Sequence, residues 1–227
     1  MTTTLITGAT RGLGKETARQ LVAAGHTVYV GARDDAAGRA TAAELGARFV
    51  QLDVTDDASV AAAFAQLEAE GGVDVVVNNA GIALLGLNGP DALAVFDTNA
   101  VGIIRVTEAA LPLLAKSANP VVVNISSALG SFWANHNPDR PASHVSAIVY
   151  GASKAAVSML TVQYARAVPE VKFNAVEPGY TATELGGQPN PQGRPVEISA
   201  QNVVRAATIG TDGPTGTFLE DDGELAW

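Results

Sequence analysis

The sequence lacks cysteine and has few basic residues. None of its 227 residues is a cysteine, which excludes disulfide bonds, thiolate metal sites and a cysteine nucleophile. Lysine and arginine together number 14, against 23 aspartates and glutamates, and the formal net charge is −9. Nucleic acids and anionic membrane surfaces both bind clustered positive charge. We therefore expect neither a nucleic acid nor a membrane as a partner.

Long apolar runs are also absent from the sequence. None reaches the roughly 18 residues that span a bilayer. Residues 1–4 have neither the basic nor the apolar part of a signal peptide. Together these absences predict a soluble, cytoplasmic protein. Apolar residues still make up 47% of the chain, which is enough for a large buried core, and the length suits one α/β domain.

Short β-prone runs alternate with helical segments along the whole chain. Because right-handed helical crossovers between parallel strands cover both sides of a sheet, this alternation predicts an α/β fold. The expected fold is a single doubly wound, Rossmann-like parallel sheet with helices on both faces, over residues 1–227. Two polar stretches, about 130–147 and about 183–196, predict loops over the edge where ligands bind. The expected strands are 3–6, 27–31, 48–52, 73–77, 120–125, 171–176 and 216–219, and the expected helices are 15–24, 35–45, 56–70, 99–114, 150–167 and 198–208.

A glycine-rich turn joins the first strand to the first helix. Its glycines, Gly8, Gly12 and Gly14, follow the spacing G-x-x-x-G-x-G rather than the more general G-x-G-x-x-G. Glycine lets the backbone turn tightly and approach phosphate oxygens, and the helix N-terminus adds a positive dipole end. The turn therefore predicts a phosphate site, with a glycine-rich turn that binds no ligand as the alternative.

Tyr150 and Lys154 lie one helical turn apart and predict a proton-transfer pair. An ammonium beside a phenol lowers the tyrosine pKa from its usual value of about 10, and such a phenol exchanges protons with a carbonyl or an alcohol. Ser127 ends a strand at the same edge, and Asn99 lies at a helix start or kink. The alternatives are an ordinary amphipathic helix, strand-end serines and a helix cap.

A series of motifs in this order resembles the short-chain dehydrogenases/reductases. Residues 31–34 and the tail 213–227 resemble the NADPH-dependent carbonyl reductases of that family. The resemblance implies hydride transfer between NADP(H) and a small-molecule ketone, aldehyde or secondary alcohol. The motifs are T-G-x-x-x-G-x-G at 7–14, Asp53, N-N-A-G at 78–81, Asn99, N-I-S-S at 124–127, Y-x-x-x-K at 150–154 and P-G at 178–179.

The resemblance also implies a role for each site residue. Tyr150 would be the general acid/base, Lys154 would lower its pKa and bind the nicotinamide ribose, and Ser127 would position the substrate carbonyl. Asn99 would hold a water that links Lys154 to solvent. The residues implied to bind the cofactor are Gly8, Thr10, Arg11, Gly12, Leu13, Gly14, Arg33, Asp53, Val54, Asn79, Ala80, Gly81, Tyr150, Lys154, Pro178, Gly179, Tyr180, Thr181 and Thr183.

The end of the second strand indicates which nicotinamide cofactor is used. A carboxylate there binds the 2′-hydroxyl of NAD, but Ala32 occupies that position. Arg33 follows it and Arg11 lies in the glycine turn, and two guanidinium groups can bind a phosphate. We therefore favour NADP(H) over NAD(H). Asp34 and Asp35 would reverse this preference if the strand register shifted by one or two residues.

The sequence departs from the family between Ser127 and Tyr150, where 23 positions separate the two residues and indicate an insertion. The insertion contains His136 and His144, but without regular metal-ligand spacing we expect no metal. An epimerase or dehydratase of the same superfamily, or a non-catalytic NADP(H)-binding sensor or scaffold, is the alternative function. The alanine-rich helices favour a homo-oligomer, whereas the insertion could block their faces as in monomeric carbonyl reductases.

Overall fold

The computed structural model describes residues 1–84, 88–185, 187, 190–221 and 223–227. Eight strands form one sheet in the order β3-β2-β1-β4-β5-β6-β7-β8. All neighbouring pairs are parallel except β7 and β8. The strands are β1 Thr3–Thr7, β2 Thr27–Ala32, β3 Arg48–Gln51, β4 Val75–Asn78, β5 Val121–Ile125, β6 Lys172–Val176, β7 Thr217–Glu220 and β8 Gly223–Glu224.

Helices cover both faces of this sheet. Leu21 and Val203 bring α1 and α8 into one apolar cluster, and Leu67, Val106 and Tyr164 bring α3, α5 and α7 into the other. The doubly wound α/β fold predicted from the sequence is therefore confirmed. The helices are α1 Gly12–Ala23, α2 Asp35–Leu45, α3 Asp57–Ala69, α4 Gly89–Phe96, α5 Gly102–Leu114, α6 Phe132–His136, α7 Ile148–Ala167 and α8 Val196–Ala207.

The central strands explain why both helical layers are needed. Every residue of β5 is buried, and so is every residue of β4. β-Branched runs of this kind suit a strand that is covered on both faces, since each alternate side chain then enters a core. The carboxyl ends of β4 and β5 lie side by side, because Asn78 pairs with Asn124. The polar residues that follow these strands therefore meet at one edge.

The helix that carries Asn99 differs from its prediction. A helix, α4, precedes it, begins after Asn88, and was not predicted. The Asn88 side chain accepts a hydrogen bond from the Asp91 N–H, so a sequence typical of a turn caps a helix instead. A π turn, Asp97–Val101, then joins α4 to α5. Asn99 therefore lies in a widened helical turn, which matches a kink and not an N-cap.

The segment 130–147, expected to be a loop, contains two short helical stretches. It forms α6 and a 3₁₀ turn at Pro141–His144. Ala134 and Ala142 pack in a small cluster with Phe218 and Leu225 of the C-terminal region. Small alanines at irregular spacing give no periodic signal, so the sequence could not show that this segment has its own core.

Two hydrogen bonds attach the segment 130–147 to residues 226 and 227. The Ser131 hydroxyl donates to the Ala226 carbonyl at 2.6 Å, and the Trp133 N–H donates to the Trp227 carbonyl at 3.1 Å. The antiparallel strand β8, also not predicted, completes the sheet beside β7. Segment 130–147 and the C-terminal region therefore form one packed unit.

The predicted loop at about 183–196 is described only in part. Positions 186, 188 and 189 of this loop lie outside the described residues. Thr181 forms a parallel bridge with Arg194, and α8 begins at Val196. Among the described helices, none combines the length and the apolar character needed to cross a membrane.

Close packing at Gly14 holds α1 against the sheet edge and gives a first prediction. A Cβ at Gly14 would contact the Asn79 side-chain nitrogen and would lie 2.8 Å from the Gly8 carbonyl oxygen. We expect Gly14→Ala to lower the free energy of unfolding by about 1–3 kcal/mol because of overpacking. Urea denaturation followed by circular dichroism measures this change.

The matched control for Gly14→Ala is Gly89→Ala, another glycine in the first turn of a helix. A Cβ at Gly89 would meet no described atom within 4 Å, and we expect its free energy of unfolding to stay equal or rise by up to about 1 kcal/mol. Equal stability of the two variants would show that the close approach at Gly14 imposes no constraint.

Candidate active site

The glycine turn has the backbone shape that a phosphate site needs. Gly8 has a φ of 65° and Gly12 a φ of 52°, both in the left-handed region. A Cβ at Gly8 would lie 2.9 Å from the Ala80 Cα atom, and a Cβ at Gly12 would lie 3.3 Å from the Thr183 Cγ2 atom. The glycine turn therefore contacts both the 78–81 motif and Thr183, the first residue of the predicted loop 183–196.

Asn79 fixes this turn from the neighbouring strand. Its side-chain nitrogen donates to the carbonyl oxygens of Thr7 and Gly8, at 2.9 and 3.1 Å. The Thr7 hydroxyl oxygen accepts the N–H groups of Asn79 and Ala80, at 3.0 and 2.9 Å. The side-chain amide of Asn79 and the Thr7 hydroxyl thus hold the glycine turn against the end of β4.

Two arginines lie at the outer part of the same edge. Arg33 directly follows β2 and is exposed, whereas Ala32 is buried at 4% exposure. Arg11 is exposed and its Nη1 atom lies 3.1 Å from Glu184 Oε2. A cavity of about 500 Å³ borders Arg33 and Asp53.

The two aspartates that could have reversed the cofactor preference are both engaged by α2. Asp34 caps the helix and accepts the Ala37 N–H at 2.9 Å. Asp35 forms an ion pair of 2.8 Å with Arg39. β2 ends at Ala32, one residue later than expected, and Arg33 rather than a carboxylate directly follows it.

Four further residues that the resemblance implies for cofactor binding are held by local hydrogen bonds or apolar packing. Asp53 accepts two hydrogen bonds from Thr55, and these bonds hold the pKa of its carboxyl below the usual range. The Val54 side chain packs against Gly102 of α5. Leu13 packs in the apolar cluster beneath α1. The Thr10 carbonyl accepts the Thr41 hydroxyl at 3.5 Å.

Ser127, Tyr150 and Lys154 come together where β5 ends against α7. The Lys154 Nζ atom lies 5.6 Å from the centre of the Tyr150 ring and donates to the Ile125 carbonyl at 2.7 Å. The Ser127 hydroxyl favours the phenolate of Tyr150 and so acts to lower the pKa of that phenol. The structure therefore brings together three of the four side chains that were predicted from the sequence to act in catalysis.

The pKa values of this group correct one expectation. Removal from water is the largest effect on Tyr150, and together with the charge of Glu177 it raises the pKa of the phenol. Burial lowers the pKa of Lys154 to about 8, and Glu177 opposes that shift. The Tyr150–Lys154 spacing predicted a tyrosine pKa below its usual value. The net shift of the Tyr150 pKa is instead upward, since desolvation disfavours the charged form of both groups.

Asn99 lies beside this group and is almost completely buried, at 1% exposure. Its amide nitrogen donates to the Ile82 carbonyl and the Ser153 hydroxyl, at 2.9 and 3.0 Å, and its oxygen accepts the Ile82 N–H at 2.8 Å. A Cβ at Gly81 would lie 3.3 Å from the Asn99 oxygen and 3.7 Å from Lys154 Nζ. Asn99 thus ties the strand end to α7, and the water relay stays a prediction.

Sequence reasoning missed Glu177, which lies between the predicted Pro178–Gly179 motif and a buried strand. Its carboxylate accepts the N–H of Ala128 and, at 2.7 Å, the N–H of Gly179. Burial raises the pKa of this carboxyl, and the two N–H groups partly offset the effect. A charged residue at the carboxyl end of a buried parallel strand was the available signal, because ligands bind at that edge.

Arg194 is a second residue that the sequence analysis missed. Its guanidinium donates to the Pro178 carbonyl and, at 2.9 Å, to the Ser199 hydroxyl. Gly179, with a φ of 78°, lets this guanidinium pack directly against the turn. The Thr181 hydroxyl donates to the Gly179 carbonyl at 2.8 Å, and Tyr180 is exposed beside it. Arg194 therefore supports the turn implied to meet the nicotinamide.

The histidines of the insertion are each paired with a backbone carbonyl. A ring nitrogen of His136 lies 2.8 Å from the Phe132 carbonyl, and one of His144 lies 3.0 Å from the Pro138 carbonyl. In the described part of the chain, no three histidine, cysteine, aspartate or glutamate side chains lie close enough to hold a metal ion.

Comparisons with known proteins agree with this geometry. The family model described as short chain dehydrogenase matches residues 2–193. The short-chain dehydrogenase/reductase ATR10 of Stachybotrys chlorohalonatus is 35% identical, over 96% of this chain and 88% of the relative. Carbonyl reductase (NADPH) 1 of Sus scrofa is 32% identical, over 98% of this chain and 93% of the relative.

A solved structure extends the likeness to three dimensions. The crystal structure of NADPH-bound carbonyl reductase from chicken fatty liver matches with a TM-score of 0.86 at 28% identity, over 99% of this chain and 98% of that chain. The family match covers most of the sequence, and the structural match covers 99% of the chain. This protein therefore belongs to the short-chain dehydrogenase/reductase family of oxidoreductases.

Proposed function

We propose that the protein reduces ketones or aldehydes with NADPH, and oxidises the corresponding secondary alcohols in reverse. The observation that carries this proposal is the meeting of Ser127, Tyr150 and Lys154 beside the glycine turn. The similarity to carbonyl reductases from pig and chicken supports it. A hydroxyl that orients a carbonyl and a phenol that supplies a proton are the groups that this reaction requires from the protein.

The glycine turn fits the diphosphate of a dinucleotide. Gly8 and Gly12 have left-handed φ values that shape the tight turn, and α1 begins at Gly12 without a side-chain cap. The first N–H groups of α1 and its positive dipole end are therefore available to an anion. NADPH bound there would supply the hydride, and the protein would supply orientation and a proton.

Each residue then has a defined task in the reaction. Ser127 would donate a hydrogen bond to the substrate carbonyl oxygen, and Tyr150 would transfer its proton to that oxygen. Because the pKa of Tyr150 is raised, the phenol is protonated at neutral pH and is ready to act as the acid. Lys154 would hold the nicotinamide ribose and complete the proton relay through Asn99.

We further propose that NADP(H) is preferred over NAD(H). Arg33 follows β2 directly, and Arg11 lies in the turn on the same edge. Asp34 and Asp35 are occupied by α2 and do not replace the missing ribose-binding carboxylate. Two guanidinium groups near a 2′-phosphate give charge-assisted hydrogen bonds that NAD(H) cannot form.

We also propose one cytoplasmic domain over residues 1–227 that assembles as a homo-oligomer. The described strands form one sheet, and the site residues lie on the segments that follow its strands and on the helices packed against it. Ile104 of α5 and Met159 of α7 expose apolar side chains, which is consistent with helices that pack against a second subunit.

Substitution of the proposed acid tests the reaction itself. We expect Tyr150→Phe to lower kcat/KM for carbonyl reduction by about 10²–10⁴-fold, since it removes the proton donor. NADPH absorbance during turnover of a broad panel of ketones and aldehydes measures activity, and NADPH fluorescence measures binding. Binding of NADPH should persist in this variant.

Tyr164→Phe is the control, because Tyr164 lies on the same helix and its hydroxyl donates to Glu108 at the surface. This variant should keep the wild-type rate. A wild-type protein that binds NADPH but reduces no member of the panel would favour the sensor or scaffold alternative. A Tyr150→Phe variant with full activity would exclude Tyr150 as the acid.

Cofactor preference gives a second test. We expect Arg33→Ala to lower kcat/KM for NADPH by about 10–100-fold, because one charge-assisted hydrogen bond contributes about 1.5–3 kcal/mol. The value for NADH should change little. Arg19→Ala, which removes an exposed charge of α1 that pairs with Glu16, should affect neither cofactor. A wild-type preference for NADH would contradict the assignment.

A further inference from the structure

The Glu177 carboxylate connects two strand ends of the site. One oxygen accepts the N–H of Ala128, which follows Ser127, and the other accepts the N–H of Gly179 at 2.7 Å. Ser127 follows β5, and Gly179 lies in the turn after β6. Beyond the last backbone hydrogen bond of this strand pair, from the Ser126 N–H to the Val176 carbonyl at 2.9 Å, the Glu177 side chain therefore links the Ser127 segment to the turn proposed to meet the nicotinamide.

The Ala128 end of this connection also reaches the catalytic helix. Ala128 begins a 3₁₀ turn, Ala128–Gly130, that packs on α7. A Cβ at Gly130 would lie 2.7 Å from the Lys154 carbonyl oxygen and from the Ala155 nitrogen. A Cβ at Gly151 would lie 3.1 Å from the Leu129 carbonyl oxygen. The 3₁₀ turn is therefore packed closely against α7 at two places. A shift of Ala128 would displace the part of α7 that carries Tyr150 and Lys154.

Charged groups surround Glu177 from several elements. Tyr150 and Lys154 face it from α7, and its negative charge acts on both of them. Glu220 of β7 repels the Glu177 charge, and Arg194 of the following loop attracts it. Glu220 is itself paired with Arg140, and Arg194 with Asp221. Glu220 and Arg194 are thus both paired with other charged residues, and the negative charge of Glu177 acts on Tyr150 and Lys154.

We propose that Glu177 is a positioning residue of the active site, which holds the Ser127 segment and the Gly179 turn together and presents a negative charge to Tyr150 and Lys154. This inference rests on the proposed carbonyl reduction. The carboxylate holds the two backbone segments in register, so Ser127 and the nicotinamide turn keep a fixed separation. Its charge keeps both Tyr150 and Lys154 protonated to higher pH than an uncharged residue would.

The sign of the charge effect does not depend on which group limits activity. Reduction needs a protonated acid, so kcat/KM falls as pH rises through the limiting pKa. Glu177 raises the pKa of Tyr150 and of Lys154. Loss of its charge therefore lowers both values, and the fall in activity moves to lower pH whichever group is responsible.

The experiment compares wild type, Glu177→Gln and Glu177→Asp by the pH dependence of kcat/KM for NADPH-dependent reduction. Glutamine has the same length as glutamate but carries no charge. We expect the fall of kcat/KM at high pH, the basic limb of the profile, to occur about one pH unit lower in this variant than in wild type. A shift of this size is the effect of one charge at short distance in a medium of intermediate dielectric constant. Aspartate keeps the charge but is too short to reach both N–H groups. We expect it to keep the wild-type limb within about 0.3 unit while kcat falls by about tenfold or more.

A second readout uses the protein without turnover. The sequence has lysines only at positions 15, 116, 154 and 172, so NMR of protein labelled at the lysine ε-carbon resolves each one, and Lys154→Met assigns the signal of interest. We expect Lys154 to titrate near pH 8 in wild type, at a value lower by about one unit in Glu177→Gln, and unchanged in Glu177→Asp. Glu68→Gln, which removes a surface charge paired with Lys116, should leave the Lys154 titration as in wild type.

The outcomes separate this inference from the proposed reaction. An active wild type with an unchanged basic limb and an unchanged Lys154 titration in Glu177→Gln would overturn the role of Glu177. Equal shifts in Glu177→Asp and Glu177→Gln would overturn the charge as the cause. A wild type without carbonyl reduction would refute the proposed reaction, while the Lys154 titration would still report the charge of Glu177. Thermal unfolding of each variant establishes that it is folded.

Discussion

The contact between α7 and the end of β5 is the constraint on which the site depends. The Lys154 ammonium donates to the Ile125 carbonyl, and the Ser126 hydroxyl donates back to the Lys154 carbonyl at 3.1 Å. Two helical turns further along α7, Asn124 donates to the Thr161 hydroxyl at 2.9 Å. These bonds are buried, so a rotation of α7 would leave polar groups unsatisfied at a cost of about 1–3 kcal/mol each. The helix therefore presents Tyr150 in one orientation beside Ser127.

The fold and the main site motifs could be predicted from the sequence because their signals are local. β-Branched runs such as that of β5 mark buried strands, and glycines mark the turn and the helix ends, as Gly46 does after α2 with a φ of 66°. The rule that ligands bind at the carboxyl ends of parallel strands then places residues far apart in the chain at one edge. Ser127 and Tyr150 meet there as expected.

Other features depend on contacts that no local pattern encodes. The tyrosine pKa depends on how far the phenol is removed from water and on Glu177, which is 27 positions away in sequence. The spacing of Tyr150 and Lys154 gives the sign of one interaction but not the larger cost of desolvation. The helical fold of segment 130–147 depends on Phe218 and Leu225, which supply its core from the C-terminal region. Glu177 was missed because a lone carboxylate has no motif.

The order of the strands has a consequence for how the protein acquires activity. β1 pairs with β4, so Thr4 lies opposite Val75. Gly12 packs against Thr183, although most of the sequence separates these two residues. Contacts between residues so distant in sequence form late, since closing long loops costs entropy before the contacts compensate for it. Partly folded intermediates can hold secondary structure, but they lack the assembled edge. Recovery of catalysis during refolding would therefore lag behind recovery of helix content, and enzymatic assay would report completion of the native topology.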